Sequence, residues 1–331
     1  MINMLKDIIL KYALENAVKY GGKANPGAVI GKIFSENKKL SKDTKTVIQE
    51  VKKVVQEVNS LNREEQKKRF SKYHIKHKKN KSGGKTLPNL QYTKGKVVMR
   101  IAPFPSGPLH IGNARPAILN DEYVRKYKGK LLLVIDDTIG SKEKSITEEA
   151  YDLIPKGLDW LEVKYDKIIY KSDRLEIYYD YAKKLIDKAY AYVCSCPQNK
   201  IRENRRKGVE CPCRHQTVEE TLKLWELMFE SKEGEYVLRI KTGMQDKNPA
   251  FRDRILFRIS EREHPKVKNK YTVWPLLEFS WAIDDHLLEI THIIRGKELM
   301  IESEMEKYIW NIFNWTHPVI MHSGLLQLEG V

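Results

Sequence analysis

One segment constrains the fold more than any other: a short apolar strand that leads through a proline- and glycine-rich loop directly into a helix. Residues 97–101 are apolar except for Arg100 and predict the strand. The loop contains three prolines and Gly107, and the helix is predicted from His110 to Tyr127. A strand that feeds a helix through a loop is the repeating unit of α/β proteins, whose ligands bind at the carboxyl ends of the strands.

The same alternation continues along the chain. Apolar runs and helical patterns predict two further strands and two further helices, at residues 131–135, 147–161, 168–170 and 173–189. This order predicts an α/β fold with a doubly wound parallel sheet. Residues 191–270 interrupt it and are predicted to form an inserted α+β domain. The apolar runs Val273–Ile283 and Ile290–Ile294 are predicted to return to the sheet. The sheet domain would therefore comprise residues 95–190 and 271–331.

Residues 1–76 are predicted to form a separate all-helical domain. Five apolar residues at steps of four and three give one stripe along a helix: Val47, Val51, Val54, Val58 and Leu61. Residues 77–94 are rich in Lys, Ser and Gly and are predicted to be a basic linker.

The positive charge is concentrated at the N-terminal end. The net charge is +16, and residues 1–96 hold 23 Lys and Arg against 8 Asp and Glu, whereas the rest of the chain holds 37 against 36. This asymmetry indicates a polyanionic partner, and a solvated lysine-rich surface is the compatible alternative. With no apolar run of about 18 residues and no signal-peptide pattern, a cytoplasmic protein without a membrane span is expected.

The loop before the first helix has the features of a nucleotide site. Its prolines make a rigid turn, and Gly107 permits close approach of a ligand to the backbone. His110 and Asn113 lie three residues apart at a predicted helix N-terminus, where free N–H groups and the helix dipole favour phosphate. Gly112 leaves room for a flat ring such as adenine. The alternative is a surface loop with a chance histidine.

The string Arg-Ile-Ala-Pro-Phe-Pro-Ser-Gly-Pro-Leu-His-Ile-Gly-Asn, residues 100–113, resembles the signature of class I aminoacyl-tRNA synthetases, and of the glutamyl type in particular. The resemblance implies a Rossmann-like catalytic domain in which His110 and Asn113 stabilise the α-phosphate of ATP during transfer. Asn113 stands where the family usually has a second histidine and keeps a hydrogen-bond donor. The implied ATP-binding residues are Pro103, Ser106, Gly107, His110, Gly112 and Asn113, and Mg²⁺ would accompany the ATP.

Two further segments resemble the same family. Residues 133–138 are similar to its segment Leu-Arg-x-Asp/Glu-Asp-Thr, and residues 283–298 to its Asp-Asp-His and Thr-His-x-x-Arg-Gly-x-Glu signatures. The resemblance implies that Asp136 binds the ammonium group of glutamate and that Arg100 and Arg295 hold its two carboxylates. For Asp136 and its neighbour the alternative is two surface carboxylates at a turn. The sequence departs from the family at Val134, Ile139-Gly140 and Leu277, where Arg, Asp-Pro and Tyr are usual.

The four cysteines form two short pairs, Cys194-x-Cys196 and Cys211-x-Cys213. This spacing predicts a tetrahedral, structural Zn²⁺ site, with four reduced thiols as the alternative. The stretch is similar to the inserted domain with which archaeal synthetases grip the tRNA acceptor end. Five nearby basic residues are therefore candidate phosphate contacts, with a solvated helix face as the alternative: Arg202, Arg205, Arg206, Lys207 and Arg214.

The resemblance implies a glutamate–tRNA ligase of archaeal type that makes glutamyl-adenylate from glutamate and ATP and transfers the acyl group to the 3′ end of glutamate-type tRNA, with glutamine-type tRNA a further candidate. The alternatives are a glutaminyl-tRNA synthetase and a non-catalytic tRNA-binding fragment. Residues 97–331 match closely, and residues 1–90 resemble the helical extension of archaeal glutamyl enzymes more loosely. The second ATP signature and the anticodon-binding barrels of the family are expected beyond Val331. The sequence does not determine the oligomeric state.

Overall fold

The computed structural model describes residues 2–36, 44–73, 87–93, 95–140 and 145–324. It divides into two compact units, Met1–Thr86 and Leu87–Val331. Most of the predicted linker, 77–94, lies outside the described residues. No helix in the described part is long and apolar enough to cross a membrane.

The first unit contains helices α1 (Ile2–Lys19), α2 (Pro26–Glu36), α3 (Thr44–Asn59) and α4 (Arg63–Ser71). The predicted apolar stripe is confirmed on α3, where Val47, Val51, Val54 and Val58 are buried, and Leu61 packs against the same core from just beyond the helix. The side chain of Gln66 is buried and donates hydrogen bonds to the carbonyls of Gly22, Val58 and Leu61, which fixes α4 to the ends of α1 and α3.

The second unit contains two sheets and seven helices among its described residues. In chain order the strands are β1 (Val98–Ile101), β2 (Lys130–Ile135), β3 (Lys167–Tyr170), β4 (Ala191–Cys194), β5 (Val237–Ile240), β6 (Ile255–Ile259), β7 (Val273–Pro275), β8 (His292–Gly296) and β9 (Val319–Ser323). The helices are α5 (Ile111–Tyr127), α6 (Ala150–Trp160), α7 (Leu175–Asp187), α8 (Gln198–Lys207), α9 (Val218–Leu227), α10 (Leu277–Leu287) and α11 (Met300–Ile312).

The first sheet is parallel throughout, with the order β3-β2-β1-β8-β9. Successive residues of β2 point to opposite faces: Leu131 and Leu133 join a core with α5 and α6, and Leu132 and Val134 join a core with α7, α10 and α11. Both faces are therefore covered by helices, which confirms the predicted α/β class and the doubly wound sheet.

The second sheet is antiparallel, with the order β4-β5-β6-β7. Its last strand corrects one prediction. Val273–Pro275 pairs with β6, so the run Val273–Ile283 first completes this sheet and only then enters α10 at Leu277. The helix predicted from residue 147 begins at Ala150. Pro155 lies inside this helix, which continues past it to Trp160.

Candidate functional site at the strand ends

The N-terminus of α5 is capped by the two residues predicted to handle phosphate. His110 Nδ1 accepts a hydrogen bond from the Gly112 N–H at 3.0 Å, and Asn113 Oδ1 accepts one from the His110 N–H at 3.2 Å. This capping leaves His110 Nε2 and Asn113 Nδ2 as the donors that the two side chains can offer a ligand. A Cβ on Gly112 would lie 2.8 Å from the His110 ring, so glycine is required here by the cap itself.

A cavity of about 200 Å³ opens beside this helix end. Its lining includes five of the nine residues predicted to bind ATP or glutamate: Arg100, Pro103, Gly112, Asn113 and Arg295. The remaining four, Ser106, Gly107, His110 and Asp136, are not part of the described lining. The cavity therefore joins one end of the nucleotide loop to the two arginines predicted to hold glutamate.

Both arginines form forked ion pairs with carboxylates of the chain. Arg100 donates through Nε and Nη2 to Asp285 of α10. Arg295 donates through Nη1 and Nη2 to Glu306 of α11, at 2.6 and 2.9 Å. Burial raises the pKa of Glu306 to about 7, and Arg295 opposes this shift. The Nη1 of Arg100 and the Nε of Arg295 lie outside these forks, and the latter is buried with no hydrogen-bond partner among the described residues.

Trp281 of α10 brings these cations together, and the sequence did not suggest it. The guanidinium carbons of Arg100 and Arg295 lie 4.7 and 4.6 Å from the centre of its ring, and Lys171 Nζ lies 5.1 Å away. An indole ring attracts cations, most strongly where water is excluded, and Trp281 is only 5% exposed. The ring therefore fixes the spacing of three positive groups.

Asp136, the predicted ammonium receptor, is buried and paired with Lys171 of the chain itself. Lys171 Nζ lies 3.2 Å from Asp136 Oδ1 and donates to Ser280 Oγ at 2.8 Å. Burial lowers the pKa of Lys171, and Asp136 opposes this shift. The pairing of β2 with β3 explains why this lysine lies here. Ile135 of β2 is opposite Tyr170 of β3, so the next residues, 136 and 171, lie side by side at the ends of the two strands.

The neighbouring carboxylate, Asp137, has a structural role. It accepts hydrogen bonds from the Ser172 N–H at 2.8 Å, the Ser172 hydroxyl at 2.7 Å and the Tyr151 hydroxyl at 2.9 Å. Asp136 and Asp137 are 3% and 0% exposed, so the alternative of two surface carboxylates at a turn is wrong.

The four cysteines converge at the end of β4. Their sulfurs all lie within 4.8 Å of one another, with Cys194 and Cys211 3.8 Å apart and Cys196 and Cys213 3.9 Å apart. Sulfurs about 2.3 Å from a tetrahedral Zn²⁺ are about 3.8 Å apart, and a disulfide needs about 2.05 Å. A hydrogen bond from Cys194, assisted by the Arg239 guanidinium, lowers the pKa of Cys211 to about 5. The cluster therefore fits a tetrahedral metal ion.

The five basic residues predicted to meet phosphate fall into two groups. Arg202 and Arg206 are exposed, and Lys207 is exposed beside Glu203, at 2.6 Å. The other two are turned towards the protein: Arg205 donates to the carbonyl of Ala250 at 2.7 Å, and Arg214 pairs with Asp253 at 2.8 Å. Only the exposed group presents its charge to a partner in this arrangement.

The family model described as tRNA synthetases class I (E and Q), catalytic domain, matches residues 96–330. Curated glutamate–tRNA ligases from archaea are similar over almost the whole chain. That of Methanobrevibacter smithii is 46% identical over 331 residues, all of this chain and 59% of the relative. That of Pyrococcus furiosus is 48% identical over 336 residues, 99% of this chain and 59% of the relative. The chain thus spans about three fifths of the length of these relatives.

A solved structure shares the fold. The glutamate tRNA ligase from Elizabethkingia meningosepticum, crystallised with its amino acid, matches with a TM-score of 0.53 at 24% identity, over 70% of this chain and 50% of that chain. At this level of identity the likeness concerns the fold alone.

Proposed function

Since the chain belongs to the class I tRNA synthetases of the E and Q type, we propose that it supplies the catalytic portion of a glutamate–tRNA ligase. A carboxylate oxygen of glutamate attacks the α-phosphorus of ATP, which gives glutamyl-adenylate and releases pyrophosphate. The 3′-terminal hydroxyl of tRNA then attacks the acyl carbon and releases AMP. The observation that carries the proposal is the cavity that links the N-terminus of α5 to Arg100 and Arg295.

The N-terminus of α5 provides the ATP site in this proposal. Its dipole favours phosphate, and His110 and Asn113 add one side-chain donor each. Catalysis comes from placing these donors where charge develops on the α-phosphate. Pro103, Ser106, Gly107 and Gly112 would shape the nucleotide pocket, and Mg²⁺ bound to ATP would offset the phosphate charge.

Glutamate would bind deeper in the cavity. Its carboxylates are attracted to Arg100 Nη1 and Arg295 Nε, the donors that the forks to Asp285 and Glu306 leave over. Its ammonium group would contact Asp136, which requires Lys171 to yield part of that carboxylate. Glutamine lacks the second negative charge, so the two arginines support glutamate over glutamine.

The cysteine cluster would hold a structural Zn²⁺ through Cys194, Cys196, Cys211 and Cys213, which would fix the end of β4 to the turn that carries Arg214. The tRNA acceptor end would meet the exposed charges of α8, Arg202, Arg206 and Lys207, through its phosphates. Arg205 would act there by holding the backbone carbonyl of Ala250, and Arg214 by its ion pair with the carboxylate of Asp253. Charging would take place in the cytoplasm, with glutamate-type tRNA as the first candidate and glutamine-type tRNA as the second.

A second candidate, a tRNA-binding protein without catalysis, is favoured by one observation. Arg100, Arg295 and Asp136, the three residues predicted to bind glutamate, are each paired within the chain. Because its buried charges are already paired, such a site can stay folded without ever binding an amino acid.

Pyrophosphate exchange separates the two candidates. The full-length protein is assayed with ATP, labelled pyrophosphate, tRNA and either glutamate or glutamine. We expect exchange with glutamate, and His110→Ala should reduce it about 10²- to 10³-fold because a donor to the transition state is lost. His317→Ala is the matched control, since His317 is exposed and precedes the amino end of β9, at the opposite edge of the sheet. Absence of exchange with both amino acids would leave the tRNA-binding candidate.

A further inference from the structure

We infer that Arg239 is a positioning residue of the cysteine site: its guanidinium supplies the fixed positive charge and the N–H donors that hold the two buried thiolates, Cys194 and Cys211, around a metal ion. The inference rests on the proposed zinc site. It concerns a residue that lies 28 positions along the chain from Cys211 and 45 from Cys194, the two cysteines that it contacts.

Arg239 lies beside the buried half of the cluster. It belongs to β5, directly opposite Tyr192 of β4, and it is 1% exposed. Its Nη1 lies 3.8 Å from Cys194 Sγ and 3.7 Å from Cys211 Sγ. One N–H group therefore reaches two sulfurs, at distances suited to hydrogen bonds with sulfur.

The guanidinium cannot turn away from the sulfurs, because its other atoms are also held. Its Nε donates to the Asp253 carbonyl at 3.0 Å, and its Nη2 lies 3.9 Å from Met244 Sδ. Its plane lies over the Tyr192 ring, 5.3 Å from the centre. Strand pairing and three contacts thus fix the direction of Nη1.

The carboxylate of Asp253 makes its hydrogen bonds with groups other than this guanidinium. Its carboxylate accepts hydrogen bonds from Tyr192 at 3.0 Å, from Arg214 at 2.8 Å and from the Gly243 N–H at 3.0 Å. It contacts Arg239 only through the main-chain carbonyl in the described structure. A fully buried guanidinium needs a negative partner, and the negative groups that Nη1 faces are the thiolates.

Arg239 lies beside the two cysteines whose negative charge is shielded least by water. Four thiolates around Zn²⁺ carry a net charge of −2. Cys196 and Cys213 are half-buried and can share their charge with water, whereas Cys194 and Cys211 are 1% and 4% exposed. Arg239 contacts the pair that water does not reach, so it offsets the part of the charge that burial makes costly. Partners that contact metal ligands in this way commonly set metal affinity.

The experiment compares three variants of the full-length protein with the wild type. Arg239→Met removes charge and donors, and Arg239→Lys keeps the charge but loses the fork. Arg258→Met is the matched control, because Arg258 is a half-buried arginine on the adjacent strand, two places along the ladder. Zinc content, the rate of zinc transfer to a chromophoric chelator and the absorption spectrum of the Co²⁺-substituted protein are measured.

We expect wild type and Arg258→Met to hold one zinc per chain and Arg239→Met to lose it about 10- to 100-fold faster. The sulfur-to-cobalt charge-transfer band should move to longer wavelength in Arg239→Met, since loss of the donors raises the energy of the sulfur electrons. The zinc release rate and the band position of Arg239→Lys should lie between those of the wild type and of Arg239→Met. If Arg239→Met does not fold, the band position of Arg239→Lys tests the inference.

Two results overturn the inference in distinguishable ways. In the first, the wild type holds zinc, and the Arg239 variants have the same zinc release rate and the same cobalt band as Arg258→Met. Arg239 then has no role at the site, and the proposed zinc site stands. If the wild-type protein binds no metal, the proposed zinc site fails and the role of Arg239 fails with it.

Discussion

The charged cavity and the cysteine cluster differ in how their functional groups are balanced by the rest of the chain. In and beside the cavity, each of the three residues predicted to bind glutamate has an internal counter-charge: Arg100 has Asp285, Arg295 has Glu306 and Asp136 has Lys171. In the cluster, four sulfurs face one another, and within the described part of the chain the charged group that contacts them is the guanidinium of Arg239, beside Cys194 and Cys211.

This difference separates a site that exchanges its ligand from one that keeps it. A balanced cavity holds its shape while an amino acid comes and goes, because no buried charge is left alone. Four thiolates cannot share such a small space unless a cation lies between them. The cluster should therefore depend on its metal for stability, and the cavity should depend on its own ion pairs.

The largest effect is expected from removal of the metal. Cys211→Ser, or strong chelation of the wild type, should destabilise the antiparallel sheet β4-β5-β6-β7 by several kcal/mol. A structural Zn²⁺ contributes on the order of 10 kcal/mol to the folding free energy of small domains. Thermal unfolding together with zinc content measures this. Retention of both zinc and melting temperature in Cys211→Ser would remove the contrast between the two sites.

Breaking one internal pair of the cavity should have the next largest effect. Lys171→Met leaves Asp136 buried without its cation and should lower the free energy of unfolding by about 3–5 kcal/mol. Lys307→Met is the control, because its pair with Glu304 on α11 is exposed and is worth about 1 kcal/mol or less. Denaturant unfolding of both variants gives the comparison, and equal losses would contradict the role assigned to the buried pair.

Binding of glutamate in the cavity should stabilise the folded protein less than binding of the metal does. Glutamate at 100 times its dissociation constant adds about 2.7 kcal/mol by mass action alone. The melting temperature of the full-length protein should rise accordingly, and glutamine at the same concentration should raise it less. A shift with glutamine that equals or exceeds the shift with glutamate would speak against the arginines as specificity residues.

The smallest effect concerns His264, which joins the loop between β6 and β7 to the end of β2. Its Nε2 lies 2.7 Å from the Asp137 carbonyl and its Nδ1 accepts from the Lys266 and Val267 N–H groups, so the ring is neutral. Burial lowers its pKa, which Asp137 opposes. The unfolded chain therefore binds this proton first, and stability should fall as pH drops below about 6.5 by at most about 1.4 kcal/mol per pH unit.

A variant isolates this contribution. His264→Gln should be less stable near neutral pH and should lack this part of the pH dependence, as denaturant titrations between pH 5 and 8 would show. An unchanged slope would mean that another group titrates in this range.

Local patterns were sufficient to predict the sheet domain. Each unit of a strand followed by a helix is encoded within about 30 residues, so the alternation from residue 97 to residue 189 predicted the parallel sheet correctly. The helical stripe on α3 was predictable for the same reason. The strand Val273–Pro275 was assigned to the wrong sheet because an apolar run does not specify its partner, and only its pairing with β6 determines it.

The partners inside the site were beyond local patterns. Arg100 and Asp285 lie 185 residues apart, and neither sequence neighbourhood indicates the other. Lys171 was missed although the register of two adjacent strands places it beside Asp136. The cysteines were grouped correctly because short paired spacings leave few alternatives, whereas Arg239 carries no signal in the sequence.

The central claim is that glutamate binds beside the intact forks of Arg100 and Arg295, and that its ammonium group replaces Lys171 on Asp136. A crystal structure of the full-length protein with a non-hydrolysable glutamyl-adenylate analogue tests it most directly. The account predicts the adenylate phosphate at the N-terminus of α5, the glutamyl carboxylate on Arg100 or Arg295, and the ammonium on Asp136 with Lys171 displaced. An analogue bound with the Lys171–Asp136 pair intact and its ammonium elsewhere would contradict it.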